Sequence, residues 1–110
     1  MGHLTPQEKK ALVRFKTRVQ QVFGDQVVGF RLFGSRAREE GDENSDLDIL
    51  VLLKEAPTSS RGQIFEIAAD IFLECETHIS PLVMSQAHFE EMKRRERLLP
   101  LEIERDGRPL

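Results

Sequence analysis

The chain of 110 residues has no tryptophan, no tyrosine and one cysteine, Cys75. Without Trp or Tyr the usual platforms for stacking single-stranded bases are missing, and the seven Phe residues are needed for a core, so template-directed polymerisation is not expected. A lone cysteine closes no internal disulfide, which suits a reducing cytoplasm. No apolar run approaches the ~20 residues that span a bilayer. The start, Met1-Gly2-His3-Leu4, has no basic region leading into an apolar stretch, so neither a membrane anchor nor a secretory signal is expected. Strong charge of one sign is also lacking. At a net −3, bulk electrostatics attract no nucleic acid.

What remains, 39% apolar and 32% charged, is a soluble globular composition, and this length buries one modest core, so a single domain over residues 1–110 is expected. Thr5-Pro6-Gln7-Glu8 reads as a capping box with Pro at the first helical position. Leu12, Phe15, Val19, Val22 and Phe23 follow at helical spacing, which predicts a helix from Pro6 to about Phe23. Val27 to Phe33 is β-rich, with Val28, Phe30 and Leu32 on one face and Arg31 on the other; Gly34 ends it. A short helix from Ser35 to about Glu39 and a turn over Glu40 to Asn44 lead into a second strand, Asp46 to Leu53. Its almost continuous apolar run after Asp48 is that of a central strand covered on both faces.

Lys54 to Gly62, with Pro57 and Ser59-Ser60, reads as a loop. Ile64, Phe65, Ile67, Ala68, Ile71 and Phe72 then repeat at helical spacing to about Cys75, with Phe65 and Phe72 expected in the core. Ile79 to Met84 is a third strand in which Pro81, having no N–H, points to an edge position or a bulge. Ser85 caps a helix to about Arg95, and Leu98 to Arg105 forms a last turn or two, stopped at Gly107.

The chemistry concentrates between Phe33 and Val51. Asp46 and Asp48 alternate with Leu47 and Ile49, so both carboxylates project to one side of a strand, their Cα atoms roughly 7 Å apart. Such a pair repels unless a cation joins it, and hard oxygen ligands favour Mg²⁺ or Mn²⁺ shared with phosphate. Gly34-Ser35 offers that phosphate a seat, because a glycine turn before a helix start lets backbone N–H groups approach an anion. For Ser35 an ordinary helix N-cap is the compatible alternative.

Gly34-Ser35, ten residues from Arg36 to Ser45, then Asp46-x-Asp48, resembles the signature of the DNA polymerase β-like nucleotidyltransferase superfamily. Gly34-Ser35-Arg36-Ala37-Arg38 and the short chain look most like its minimal nucleotidyltransferases. The resemblance implies an α/β (α+β) nucleotidyltransferase fold, a small mixed β-sheet with helices packed chiefly on one face and the metal-binding strand in the middle. It also implies two Mg²⁺ ions on Asp46 and Asp48, with Gly34 and Ser35 holding the β- and γ-phosphates of ATP or another nucleoside triphosphate. In this net-acidic chain Arg36 and Arg38 join the metal as local positive charge, with a solvated helix face as their alternative.

Two departures stand out. Glu39 occupies a place where the family commonly has Gly. The third carboxylate of many relatives aligns with Ser80, a poor metal ligand; Glu76 is a substitute if the third strand starts early, while Glu74 and Glu76 otherwise read as solvated acids at a helix end. His78 and His88 lack metal-site spacing. Lys93-Arg94-Arg95-Glu96-Arg97 reads as a wet helix face, with docking of an acidic partner or RNA as the alternative.

The implied function is transfer of AMP from ATP to a hydroxyl of a partner protein, as in minimal nucleotidyltransferases that act as antitoxins of a HEPN-type toxin. A catalytically weak module that neutralises its partner by contact is the alternative that Ser80 favours. Transfer to a small molecule such as an aminoglycoside calls for an additional helical domain. The base, the acceptor and the oligomeric state are left open.

Overall fold

The protein is described by a computed structural model, which defines residues 4–34, 46–95, 103 and 107–110. The first helix, α1, spans Pro6–Phe23. Its start is fixed reciprocally: the Glu8 N–H donates to Thr5 Oγ1 at 3.1 Å and the Thr5 N–H to Glu8 Oε1 at 2.9 Å. A 3₁₀ turn, Gly24–Gln26, leads into β1, Val27–Phe33. β2 spans Leu47–Leu53, α2 Thr58–Cys75, β3 Ile79–Ser85 and α3 Gln86–Arg94. A two-residue strand, β4, Arg108–Pro109, completes the chain. No helix among the described residues is long and apolar enough to cross a membrane.

The sheet has the order β3-β2-β1-β4. β1 pairs antiparallel with β2 and β4, while β2 and β3 run parallel through the α2 crossover. On one face Leu47, Ile49, Val51 and Leu53 pack against α1 and α2, through Phe15 and Val19 of α1 and Ile64 and Ile71 of α2. On the other face Leu50 packs with Met84, Phe89 of α3 and Ile103. The two long helices thus share one face, β2 is interior, and this is the expected nucleotidyltransferase architecture.

Several local expectations change. A register shift between Val27 and Gly29 makes a bulge, so Val27 rather than Val28 joins the face of Phe30 and Leu32, and Val28 is exposed. α2 begins at Thr58, not after Gly62: Pro57 is its N-cap residue, the Ser60 N–H donates to the Pro57 carbonyl at 2.9 Å, and Ser60 is buried. The polar first turn hid a helix whose apolar stripe starts only at Ile64. The short β4 carries no periodicity and contains Pro, so nothing in composition announced it. Pro81 does lie on an edge strand.

The short helix expected at Ser35 to Glu39 and the turn after it lie outside the described residues, as does most of Leu98 to Arg105. The Gly107 N–H donates to the Ile103 carbonyl at 2.7 Å, and any Cβ on Gly107 would collide with the same carbonyl oxygen. The capping box supplies the fold's first measurable quantity. Thr5→Ala should lower unfolding free energy by about 1 kcal/mol in urea titration, with an unchanged m-value.

Candidate active site

β1 ends where β2 and β3 begin, and the candidate residues meet at that end of the sheet. Phe33 and Ser80 are the register partners of Asp48 on its two sides. Gly34 follows Phe33 with φ +76°, and a Cβ there would strike Asp48 Oδ2. Glycine is therefore required twice over, for the left-handed turn and for the passage of backbone against the carboxylate.

Asp46 stands just before β2 and is exposed, while Asp48 is half-buried within it. Burial first, and then the charge of Asp46, hold the Asp48 carboxyl above its ordinary range. Among the described residues no cation pairs with either acid. Two hard oxygen donors side by side, with no counter-charge among the described residues, fit Mg²⁺, which takes one or two carboxylates and completes its shell with phosphate and water. Ser35, Arg36 and Arg38 lie outside the described residues.

The third acid has no replacement among the described residues, where no group of three or more His, Cys, Asp or Glu could hold a metal. Ser80 occupies the position beside Asp48 and is exposed. β3 starts at Ile79, so Glu74 and Glu76 are not on it. Glu74 lies in α2, tied to α1 by Arg18 Nη2 at 2.6 Å and Arg14 Nη1 at 3.0 Å; the hydrogen bond from Arg18 is the chief reason its carboxyl sits below the ordinary range. Glu76 is the left-handed C-cap of α2, its N–H donating to the Phe72 carbonyl at 2.8 Å. It lines a separate depression with Gln7, Lys10 and Leu73.

His78 stacks on Phe72, ring centroids 4.0 Å apart and planes 27° apart, and its carbonyl accepts the Leu47 N–H at 3.0 Å. His88 is exposed on α3. In the basic run, Lys93 pairs with Glu90, and Arg94 and Arg95 both pair with Glu91, as on a solvated helix face; Arg97 lies outside the described residues.

Sequence reasoning missed one part of the site. Phe65 and Phe72, expected in the core, are 52% and 37% exposed. Ile64, Ile67, Ala68, Ile71 and Cys75 already fill the inward stripe of α2, and Phe65 and Phe72 each lie one residue further round. The overlapping spacing 65, 69, 72 was the available signal. Both rings border a groove of about 360 Å³ that Asp46 and Ser80 also line.

Residues 12–105 match the family model described as "Nucleotidyltransferase domain". A proposed protein adenylyltransferase of Methanocaldococcus jannaschii is 40% identical over 70 residues, which is 63% of this chain and 71% of that protein. Among solved structures, the MntA-HpeT toxin–antitoxin, in a variant with two aspartates two residues apart each changed to glutamate, superposes with a TM-score of 0.55 at 15% identity. The match covers 86% of this chain and 68% of that one. A toxin–antitoxin with AMP-PNP gives 0.55 at 16% identity with the same coverage. At these identities the likeness is one of fold.

Two substitutions probe the geometry. Gly34→Ala should cost at least about 1–2 kcal/mol in denaturant titration, because the left-handed turn alone costs that for an L-residue. Asp48→Asn should do the opposite. A carboxyl raised in the folded state is destabilising once pH exceeds its folded pKa, so removing the charge should raise the metal-free melting temperature at pH 7. The gain should vanish at a pH below the carboxylate range, where Asp48 is itself protonated.

Proposed function

The chain belongs to the nucleotidyltransferase domain family, and on that premise we propose that it is a Mg²⁺-dependent adenylyltransferase that moves AMP from ATP to a hydroxyl of a partner protein. The observation that carries this is Asp46-x-Asp48 at the head of β2 with the Gly34 turn pressed against Asp48. The name of the M. jannaschii relative and the AMP-PNP bound in a fold neighbour agree with it.

In this reading Asp46 and Asp48 would hold two Mg²⁺ ions. Those ions would neutralise charge on the phosphates and lower the acceptor's pKa. Gly34 and Ser35 seat the β- and γ-phosphates, and Arg36 and Arg38 add positive charge beside the triphosphate. The acceptor oxygen forms its bond to the α-phosphorus while the bond from that phosphorus to the bridging oxygen breaks. Pyrophosphate leaves with the electron pair, and the hydroxyl proton is lost to solvent. The chain's own contribution is positioning and charge.

The partner in this reading is a HEPN-type toxin in the cytoplasm, with this single nucleotidyltransferase domain as its antitoxin. The toxin–antitoxin fold neighbours support that class of partner. Ser80 beside Asp48 favours one second reading, a nucleotide- or partner-binding module that neutralises by contact.

Incubation with α-labelled ATP and Mg²⁺, with and without the copurifying protein, separates the two. Label should pass to the partner, and Asp46→Asn/Asp48→Asn should abolish transfer. If no label moves with any of the four nucleotides while calorimetry shows Mg²⁺-dependent ATP binding, the second reading replaces the first.

A further inference from the structure

We propose that the groove between α2 and the outer side of β3 is the acceptor seat, built for a protein segment with an apolar side chain next to the hydroxyl that receives the nucleotide. This rests on the adenylyltransferase reading and adds to it the class of acceptor. Three features of the groove carry the argument: its position, its walls and the edge it borders.

Position follows from register. Gly34, the phosphate seat, reaches Asp48 from the β1 side, whereas Ser80 flanks Asp48 from the β3 side. In an in-line displacement the attacking and leaving oxygens lie on opposite sides of phosphorus. A pyrophosphate leaving over Gly34 places the acceptor towards β3, where the groove lies with Asp46 and Ser80 in its lining.

The walls are apolar where nothing in the fold requires it. Phe65, Ala69 and Phe72 form a second stripe on α2, away from the inward residues, and the stacked Phe72 and His78 rings make one flat side. The groove of about 360 Å³ is therefore greasy along α2 and polar at its Asp46 and Ser80 end. That polarity gradient fits an apolar side chain with a hydroxyl beside it.

The edge of β3 decides how such a segment binds. The Leu47 N–H bonds the His78 carbonyl, and Leu47 is the register partner of Ile79, so the even-numbered residues of β3 turn their backbone groups to β2. Odd-numbered residues face outward, and Pro81 among them has no N–H to offer. An added strand would lose that bond, which leaves side-chain insertion as the means of recognition.

The test uses fluorescein-labelled octapeptides with one serine flanked by either leucine or glycine. Anisotropy reads binding, and α-labelled ATP reads transfer. The leucine peptide should bind and be labelled at least about tenfold better, the lower end of the ratio expected from burying one such side chain. Phe65→Ser/Phe72→Ser should erase that preference with the Kd for ATP unchanged, and Val22→Ser on α1 should keep it. Leucine-selective binding without transfer, lost in the double variant, would uphold the groove while the transferase reading fails. Equal binding of the two peptides overturns the inference. So does a double variant that weakens ATP binding, which would make the groove a base pocket, or one that lowers the solution mass, which would make it a contact between copies.

Discussion

A strand buried on both faces can carry charge only at its ends. Leu47, Ile49, Leu50, Val51 and Leu53 of β2 are all fully buried, between α1 and α2 on one side and α3 with Ile103 on the other. The two carboxylates therefore fall at the strand's entrance, where the cost of burying a charge is smallest. The same strand sets its neighbours. Its antiparallel pairing with β1 delivers Gly34 to Asp48, and its parallel pairing with β3 delivers Ser80 to the opposite side. Core and site are thus two consequences of one position in the sheet.

That position also leaves Asp48 unsettled when no cation is present. Burial and the neighbouring Asp46 both oppose its ionisation. The fold tolerates this repulsion because the surrounding apolar contacts outweigh it, and a bound cation with phosphate would turn the repulsion into attraction. The entrance of β2 thus carries a repulsion that its apolar middle does not.

Most of the scaffold was legible because its signals are local. The Thr5-Pro6-Gln7-Glu8 box, the alternation entering β2 and the Ser85 cap each act within a few residues, and all three stand in the structure. What was illegible depends on distant partners. The Val28 bulge follows from matching β1 to β2, β4 exists because β1 has a free edge, and the exposure of Phe65 and Phe72 follows from how little of α2 the sheet can cover. Glu74 is the exposed acid at a helix end that the sequence suggested, but its two arginine partners on another helix could not be read from local spacing. Asp46, Asp48 and Gly34 could be placed from the sequence because strand alternation and glycine geometry are short-range; Ser35, Arg36 and Arg38 belong to the undescribed stretch that follows.

The chain's one cysteine sits at the far end of α2, buried, with Arg14 Nη1 3.8 Å from its sulfur and the Gln7 side chain donating to its carbonyl. Both covering residues belong to α1. A thiol reagent in solution gains fuller access to Cys75 when α1 lifts from α2, so the rate of its modification reports on that opening. The protein carries its own single-site reporter of local unfolding, placed on the helix pair that supports the sheet.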